Sequence, residues 1–397
     1  MKIDFVTTVG IVRGFPSFPE ATLARQFVAD GHRVRALTYF AKSSSMINTR
    51  HEIIDDTVIH RIRRKGVFTP GLLGWIAREK PDIAHLHHLS NRLSALALPA
   101  YHARGVPVVF SPYGILHDPV LVDDTDRPLA TPVHANRVQA SLVRTAKATG
   151  VKHGASIWVL HRSLFAADAV HAMSLHEKRV LAALGVPEAR IHFIPVGIDA
   201  TLLECGEPIA RSALPTVLFL GQMKYRKGWD ILVRAIPDVV QAIPSVRFIF
   251  AGHTGRDRTD FDALVRDLGV SDRIETPGRV SEAEKIRLLR SSWVLTLPAR
   301  YEGFGIPLVE AMMVGTPVVT TDVPACNEIV RDDETGIVVK PDDPAALAAA
   351  LIRLLNDTAL RLRLTREAAG DVAQRYAARV VAQQFEALYA SLIAERA

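Results

Sequence analysis

Strand-like and helix-like periods alternate along most of this chain, and they do so in two separate series. In the first, "KIDFVTTV" reads as a strand. "FPEATLARQFVADGH" reads as a helix with Ala21, Leu23, Ala24, Phe27 and Val28 on one apolar face and a stop at Gly31, and "RVRALTY" as the next strand. "PDIAHLHH" and "VPVVFSP" are short apolar strands separated by the helical "RLSALALPAYHARG", and "AVHAMS" and "IHFIPVG" are two more. The rhythm pauses near residues 199–213 and restarts with strand "TVLFLG", helix "WDILVRAIPDVVQAI" and strand "VRFIFAG". Helices "DFDALVRDLG" and "SEAEKIRLLRSS", strand "WVLTLP", helix "IPLVEAMMVG" and strand "TPVVTT" follow, and the chain closes in helix from "DDPAALAAALIRLLND" onward. Parallel strands need crossover connections, so this alternation predicts an α/β fold with two Rossmann-like, doubly wound domains facing across a cleft. The expected boundaries are 1–205 for the first domain and 206–378 for the second, with a helix over 379–397 crossing back to the first. Ligands favour such clefts.

Bulk properties remove several classes. A length of 397 residues exceeds one ordinary core, and 48% apolar with 23% charged residues is a soluble globular balance. No apolar run approaches the roughly 18–20 residues that span a bilayer, and "MKIDFVTTVG" lacks the features of a signal peptide. Only Cys205 and Cys326 are present, in unlike contexts, which fits a reducing, cytoplasmic setting without a disulfide framework. A net charge of +6 is mild; it favours anionic ligands or an anionic surface, and no nucleic-acid motif accompanies it.

"YEGFGIPLVEAMMVG", residues 301–315, carries chemistry in a compact form. A strand runs into a Gly-Phe-Gly turn, and a helix follows with Pro307 early and Gly315 at its stop. The helix N-terminus offers free N–H groups to an anion, and the glycines admit close backbone approach. A carboxylate beside a phosphate would be repelled, so Glu302 and Glu310 need other partners. Glu310, one turn into the helix, suits a vicinal diol such as a ribose. Glu302 suits sugar hydroxyls or positive charge at an anomeric carbon. The same turn could equally be a plain strand-to-helix connection with solvated carboxylates. Gly303-x-Gly305 imitates the start of a dinucleotide fingerprint, but Leu308 stands where the third glycine belongs, so NAD is not expected.

In "LFLGQMKYRKGWDILVRA", Lys224, Arg226 and Lys227 follow a strand end, where cations suit a diphosphate; an exposed basic loop is the plainer alternative. In "HLHHLSN", His85, His87 and His88 lack a nearby further ligand, so no metal is expected; polar contacts at the cleft fit better. Residues 128–167 hold no Asp or Glu but contain Arg137, Arg144, Lys147, Lys152, Arg162 and Trp158. Residues 61–80 also combine basic and apolar residues with Trp75. Both segments are either solvated basic faces or contacts to an anionic membrane surface or a phosphate-bearing acceptor.

These clusters occur together and in order, and the chain resembles glycosyltransferase family 4, retaining enzymes with the GT-B architecture. The likeness covers nearly the whole chain and is strongest in "FLGQMKYRKGWDILVRA", "FIFAGHTG", "YEGFGIPLVEAMMVGTPVVTTDVPACNEIV" and "TGIVVKPDD". In the first half, "VADGHRV", "PDIAHLHH", "SPYGILHDP" and "AMSLHEKRVLAALGVPEARIHFIPVGID" also match. The resemblance implies a hexosyltransferase of surface polysaccharide or glycolipid biosynthesis. It would move sugar from a nucleotide-sugar to a glycan or lipid-linked acceptor, with no metal or other cofactor and no nucleic-acid partner. It implies that Glu302 and Lys227 are catalytic, Lys227 neutralising the leaving diphosphate. Gly14, Arg226, Gly303, Phe304, Gly305 and Glu310 would bind donor, the 303–305 backbone at the sugar and Glu310 at the ribose. Tyr113, Gly114 and His117 would line the acceptor side. Localisation would be cytoplasmic, peripheral at the inner face of the membrane.

Four features depart from that pattern. Gln222 stands where the family often has Arg, Phe15 replaces the second glycine after Gly14, Tyr113-Gly114 replaces His-Gly, and residues 118–165 match nothing in it. A sugar-nucleotide epimerase of the same architecture and a non-catalytic nucleotide-sugar-binding protein remain as alternatives. Incubation with donor alone separates the first, and binding without turnover marks the second.

Overall fold

The computed structural model of the chain describes residues 1–8, 10–40, 47–63, 69, 71–89, 92–113, 162–204, 208–253 and 255–396. Those residues fall into two compact units, one formed by 1–113, 162–197 and 378–396, the other by 198–377.

The first unit is built on a sheet of β1 (Lys2–Val6), β2 (Arg33–Phe40), β3 (His51–Ile54), β4 (Thr57–Arg63), β5 (Ile83–His87), β6 (Val108–Ser111), β7 (Ala169–Ala172) and β8 (Ile191–Phe193). Their spatial order is β3-β4-β2-β1-β5-β6-β7-β8. Every pairing is parallel except the β3–β4 hairpin. That hairpin turns through Asp55 and Asp56, both at positive φ, which matches the right-handed twist of the strands it joins. Helices α1 (Pro19–Ala29), α2 (Leu72–Arg78), α3 (Arg92–His102) and α4 (Leu175–Ala183) lie between the strands in sequence.

The second unit has the strands β9 (Thr216–Leu220), β10 (Arg247–Ala251), β11 (Ile274–Gly278), β12 (Val294–Leu297), β13 (Val318–Thr321) and β14 (Ile337–Val339). All pairings are parallel in the order β11-β10-β9-β12-β13-β14. This is a doubly wound Rossmann arrangement whose strand order reverses between β9 and β12. Its helices are α5 (Trp229–Ala242), α6 (Arg258–Asp267), α7 (Glu282–Ser291), α8 (Ile306–Met313), α9 (Cys326–Ile329), α10 (Pro344–Asn356) and α11 (Thr358–Tyr376). On α5, Ile231, Leu232, Ala235, Ile236 and Val239 are fully or almost fully buried in one cluster with Phe219, Phe248 and Leu351. Each such large side chain contributes about 1.5–3 kcal/mol by leaving water.

The last helix, α12 (Ala378–Ala394), packs against α1 in the first unit, placing Val381, Phe385 and Tyr389 in the core with Phe5 and Phe27. Its Tyr389 joins a buried polar chain. The hydroxyl donates to His85 Nδ1 at 2.6 Å, His85 Nε2 donates to Ser111 Oγ at 2.6 Å, and Ser111 donates to His171 Nδ1 at 2.7 Å. His171 Nε2 then donates to the Ile194 carbonyl at 2.6 Å. A carbonyl can only accept, so His171 Nε2 carries a proton, and with both imidazoles neutral the rest of the chain runs in this direction. Burial also drives both away from the charged form, His85 well below the usual range and His171 down to about 4.

This corrects the placing of the histidines at a cleft. His85 and His87 are fully buried, because β5 is a central parallel strand covered on both faces. Trp75 is likewise a core residue, with the Arg35 guanidinium 4.7 Å above its ring, so it is no surface anchor; on α2 it is Leu73 that is exposed. Residues 128–161, with Arg137, Arg144, Lys147, Lys152 and Trp158, lie outside the described residues, as does most of 118–165.

Candidate active site

The carboxyl ends of β9 and β12 meet at the switch point of the second unit, and the loops leaving them carry the candidate residues. After β9 the chain makes a single short turn, Tyr225–Lys227, and enters α5 through Gly228. After β12, residues 298–305 lead into α8. The backbone joins the loops, with Arg300 N–H donating to the Arg226 carbonyl at 2.8 Å.

Glu302 is the centre of this arrangement. It is 6% exposed, and Lys227 and Arg226 beside it are 8% and 9% exposed. Lys227 Nζ donates to Glu302 Oε2, while Arg226 Nη1 stands 3.4 Å from the same oxygen. Glu302 Oε1 accepts the Gly303 N–H at 3.1 Å. Burial pulls the Lys227 ammonium below its ordinary range against the opposing pull of Glu302. Two cations and one carboxylate thus share a dry corner, a surplus of positive charge that an anion entering there would offset.

Glu310 lies in α8, 2% exposed, with Lys285 Nζ from α7 on its Oε1 at 2.6 Å. Lys285 also pairs with Glu282 at 2.8 Å. Burial raises the Glu310 carboxyl above its usual range despite Lys285. Lys285 rises despite its own burial because Glu310 and Glu282 hold its proton. Phe304 turns its side chain away into the core, edge-on to Tyr376 at 5.6 Å, so only its backbone can serve a ligand. Cys326, also buried here, has its thiol pushed up to about 12 by burial and is inert at neutral pH.

In the first unit a second charged cluster sits at the corresponding switch point, past β1 and β5. Glu20, in the first turn of α1, is 2% exposed and accepts from His88 Nε2 at 2.5 Å and from Thr7 Oγ1 at 3.2 Å. Burial alone would raise the Glu20 carboxyl, but His88 overrides it and holds it down at about 2. His88 rises in turn, despite burial, through Glu20 and the Tyr113 backbone. Tyr113 is edge-on to His88 at 5.6 Å. Gly14 is exposed, at positive φ, in the loop after β1. Gly114 and His117 lie outside the described residues.

The structure therefore gathers Lys227, Arg226, Glu302 and the 303–305 backbone into one corner of the second unit, with Glu310 one helical turn on. Gly14 and Tyr113 belong to the first unit. Sequence reasoning did not single out Lys285, Arg300 or Glu20, none of which lies in a recognisable motif. Among the described residues no three His, Cys, Asp or Glu side chains gather as a metal site.

Comparison with known proteins gives a consistent result. The pattern described as "Glycosyl transferases group 1" matches residues 209–371, and that described as "Glycosyltransferase Family 4" matches residues 21–202. A D-inositol 3-phosphate glycosyltransferase 1 from Catenulispora acidiphila is 31% identical over 329 residues, covering 77% of this chain and 72% of that protein. A phosphatidyl-myo-inositol mannosyltransferase from Mycobacterium tuberculosis is 41% identical over 182 residues, covering 44% of this chain and 46% of that protein. Among solved structures, a sucrose-phosphate synthase from Thermosynechococcus elongatus superimposes with a TM-score of 0.75 at 19% identity, covering 100% of each chain. Anabaena Alr3699/HepE in complex with UDP and glucose superimposes with a TM-score of 0.72 at 17% identity, covering 98% of this chain and 100% of that one.

Proposed function

The chain belongs to glycosyltransferase family 4, the group 1 glycosyl transferases with the GT-B fold, and from that premise we propose that it is a retaining hexosyltransferase. The donor is a nucleoside-diphosphate sugar and the acceptor a hydroxyl of a glycan or lipid-linked glycan. The observation that carries this reading is the Lys227–Glu302–Arg226 corner at the switch point of the second unit. A diphosphate entering there meets two cations at the head of α5, and glycines 303 and 305, which carry no side chain, allow the sugar to approach close to the main chain. Glu310, held in α8 with Lys285 on its Oε1, accepts from the ribose diol. Lys227 stabilises charge on the departing diphosphate while the bond from the anomeric carbon to phosphate oxygen breaks. The acceptor oxygen attacks from the same face, and its proton passes to the leaving phosphate. Configuration is retained and no carboxylate nucleophile is required.

The names of the Catenulispora and Mycobacterium relatives include inositol 3-phosphate and phosphatidyl-myo-inositol, which favours a phosphorylated or lipid-borne acceptor here. A lipid-linked acceptor would bring the first unit to an anionic membrane surface. No helix among the described residues is long and apolar enough to cross one.

The direct test is a thermal-shift screen with UDP, GDP, ADP and their sugar conjugates, followed by transfer assays with the anomeric configuration read by NMR. A true donor at 100 times its Kd should stabilise by about 2.7 kcal/mol. No shift with any of them would overturn the reading.

The two glutamates should separate in kinetics. Glu310→Gln is expected to weaken nucleotide binding, because a ribose contact is ground-state binding. Glu302→Gln should lower kcat more than nucleotide affinity, because its position is beside the reacting sugar. Calorimetric nucleotide titrations alongside steady-state kinetics distinguish them, and equal affinities in both variants and wild type would defeat this assignment.

A further inference from the structure

We propose that Arg300 is a positioning residue that sets Lys227 and Arg226 at the diphosphate site by clamping the 224–228 loop against the 298–305 loop. This rests on the donor-site reading.

The Arg300 side chain is almost buried, at 12% exposure, and its whole planar fork is used. Nη1 and Nη2 grip the two carboxylate oxygens of Asp230 at 2.6 and 2.8 Å. Nη1 also donates to the Tyr225 carbonyl at 2.8 Å, and Nε donates to Asp342 at 2.6 Å. The guanidinium carbon lies 3.8 Å from the centre of the Tyr225 ring. Main chain completes the clamp, since the N–H groups of Arg300 and Tyr301 both reach the Arg226 carbonyl, at 2.8 and 3.3 Å.

The consequence follows from where these partners sit. Tyr225 begins the three-residue turn that carries Arg226 and Lys227, and Asp230 lies in the first turn of α5 just beyond it. That turn has no side-chain cap of its own. Arg300 therefore holds it from both ends, while bonding to neither Lys227 nor Glu302, so it acts through neighbours. A bidentate carboxylate, a carbonyl, a second carboxylate and a ring face cannot all be served by an ammonium, so lysine keeps the charge but loses the clamp. The Asp342 arm is the dispensable one, because that carboxylate is 59% exposed and its pairing is screened.

The test is calorimetric titration of UDP, GDP and ADP and of their monophosphates into wild type, Arg300→Lys, Arg300→Ala and Asp230→Asn. A misplaced Lys227 and Arg226 lose grip on the diphosphate, whereas base and ribose contacts remain. The expected result is diphosphate affinity at least tenfold weaker in the Arg300 variants, with monophosphate affinity within twofold of wild type and Asp230→Asn shifted in the same direction. Equal weakening for both ligand classes, or full affinity in Arg300→Lys, would overturn the proposal. If Arg300→Ala does not fold, Arg300→Lys and Asp230→Asn carry the comparison; if those also fail to fold, Arg300 is a stability staple and the proposal falls. Wild type that binds none of the nucleotides overturns the donor-site reading itself, so the two failures are distinguishable.

Discussion

Lys227→Ala is expected to lower sugar transfer by about 10²–10³-fold, the usual loss when one preorganised charge partner of a transition state is removed. The effect should fall mainly on kcat, because leaving-group charge grows as the glycosidic bond to phosphate breaks. The geometry adds a consequence for stability. Lys227 is buried against Glu302, whose remaining cation, Arg226, is 3.4 Å away. Removing one partner of a buried pair costs about 3–5 kcal/mol when the other charge is stranded, and Arg226 and the Gly303 N–H, which still reach Glu302, offset part of that cost. The single variant should therefore be both inactive and less stable. Adding Glu302→Gln removes the buried carboxylate that has lost its ammonium, so the double variant should recover part of the melting temperature and none of the activity. Near-normal turnover in Lys227→Ala would move the role to Arg226 or Lys224. A double variant no more stable than the single one would show that the pair does not carry the stability assigned to it.

What the sequence revealed and what it hid divide along physical lines. Central strands such as "TVLFL" and "VVFS" are buried throughout and mostly apolar because both faces are covered, so they stand out. The edge strands β3 and β11 do not. β3 alternates exposed and half-exposed residues and β11 includes Pro277, so neither has the apolar run that marks a buried strand. The residue types at the site were legible, because Glu302, Glu310 and Lys227 sit in short motifs. Their partners were not, since Lys285 meets Glu310 from 25 residues away and Arg300 meets Asp230 from 70. Contacts made by the fold across such separations leave no local spacing. His85 of "HLHH" shows the reverse error, for a neutral imidazole inside a hydrogen-bonded core reads in sequence as a polar residue seeking a cleft. Only burial distinguishes the two.

The second large effect is expected at a glycine. Gly228 has φ of 70°, and a Cβ added there would lie 1.8 Å from the Pro298 carbonyl oxygen and 2.8 Å from its carbon. Both are backbone atoms, so no rotamer change relieves the overlap. Gly228→Ala must therefore separate the loop ending in Lys227 from the loop carrying Glu302, in addition to straining the left-handed backbone. Gly269 supplies the control, with φ of 66° and nothing within 4 Å of its added Cβ. Gly269→Ala should incur the backbone term alone, about 1–2 kcal/mol. Gly228→Ala should be at least twice as destabilising and should also weaken nucleoside diphosphate binding, which Gly269→Ala leaves unchanged. Chemical denaturation gives the stabilities and nucleotide titration gives the affinities. The close approach is the point at issue, so equal midpoints and equal affinities in the two variants would refute the claim that contact between these loops builds the donor site.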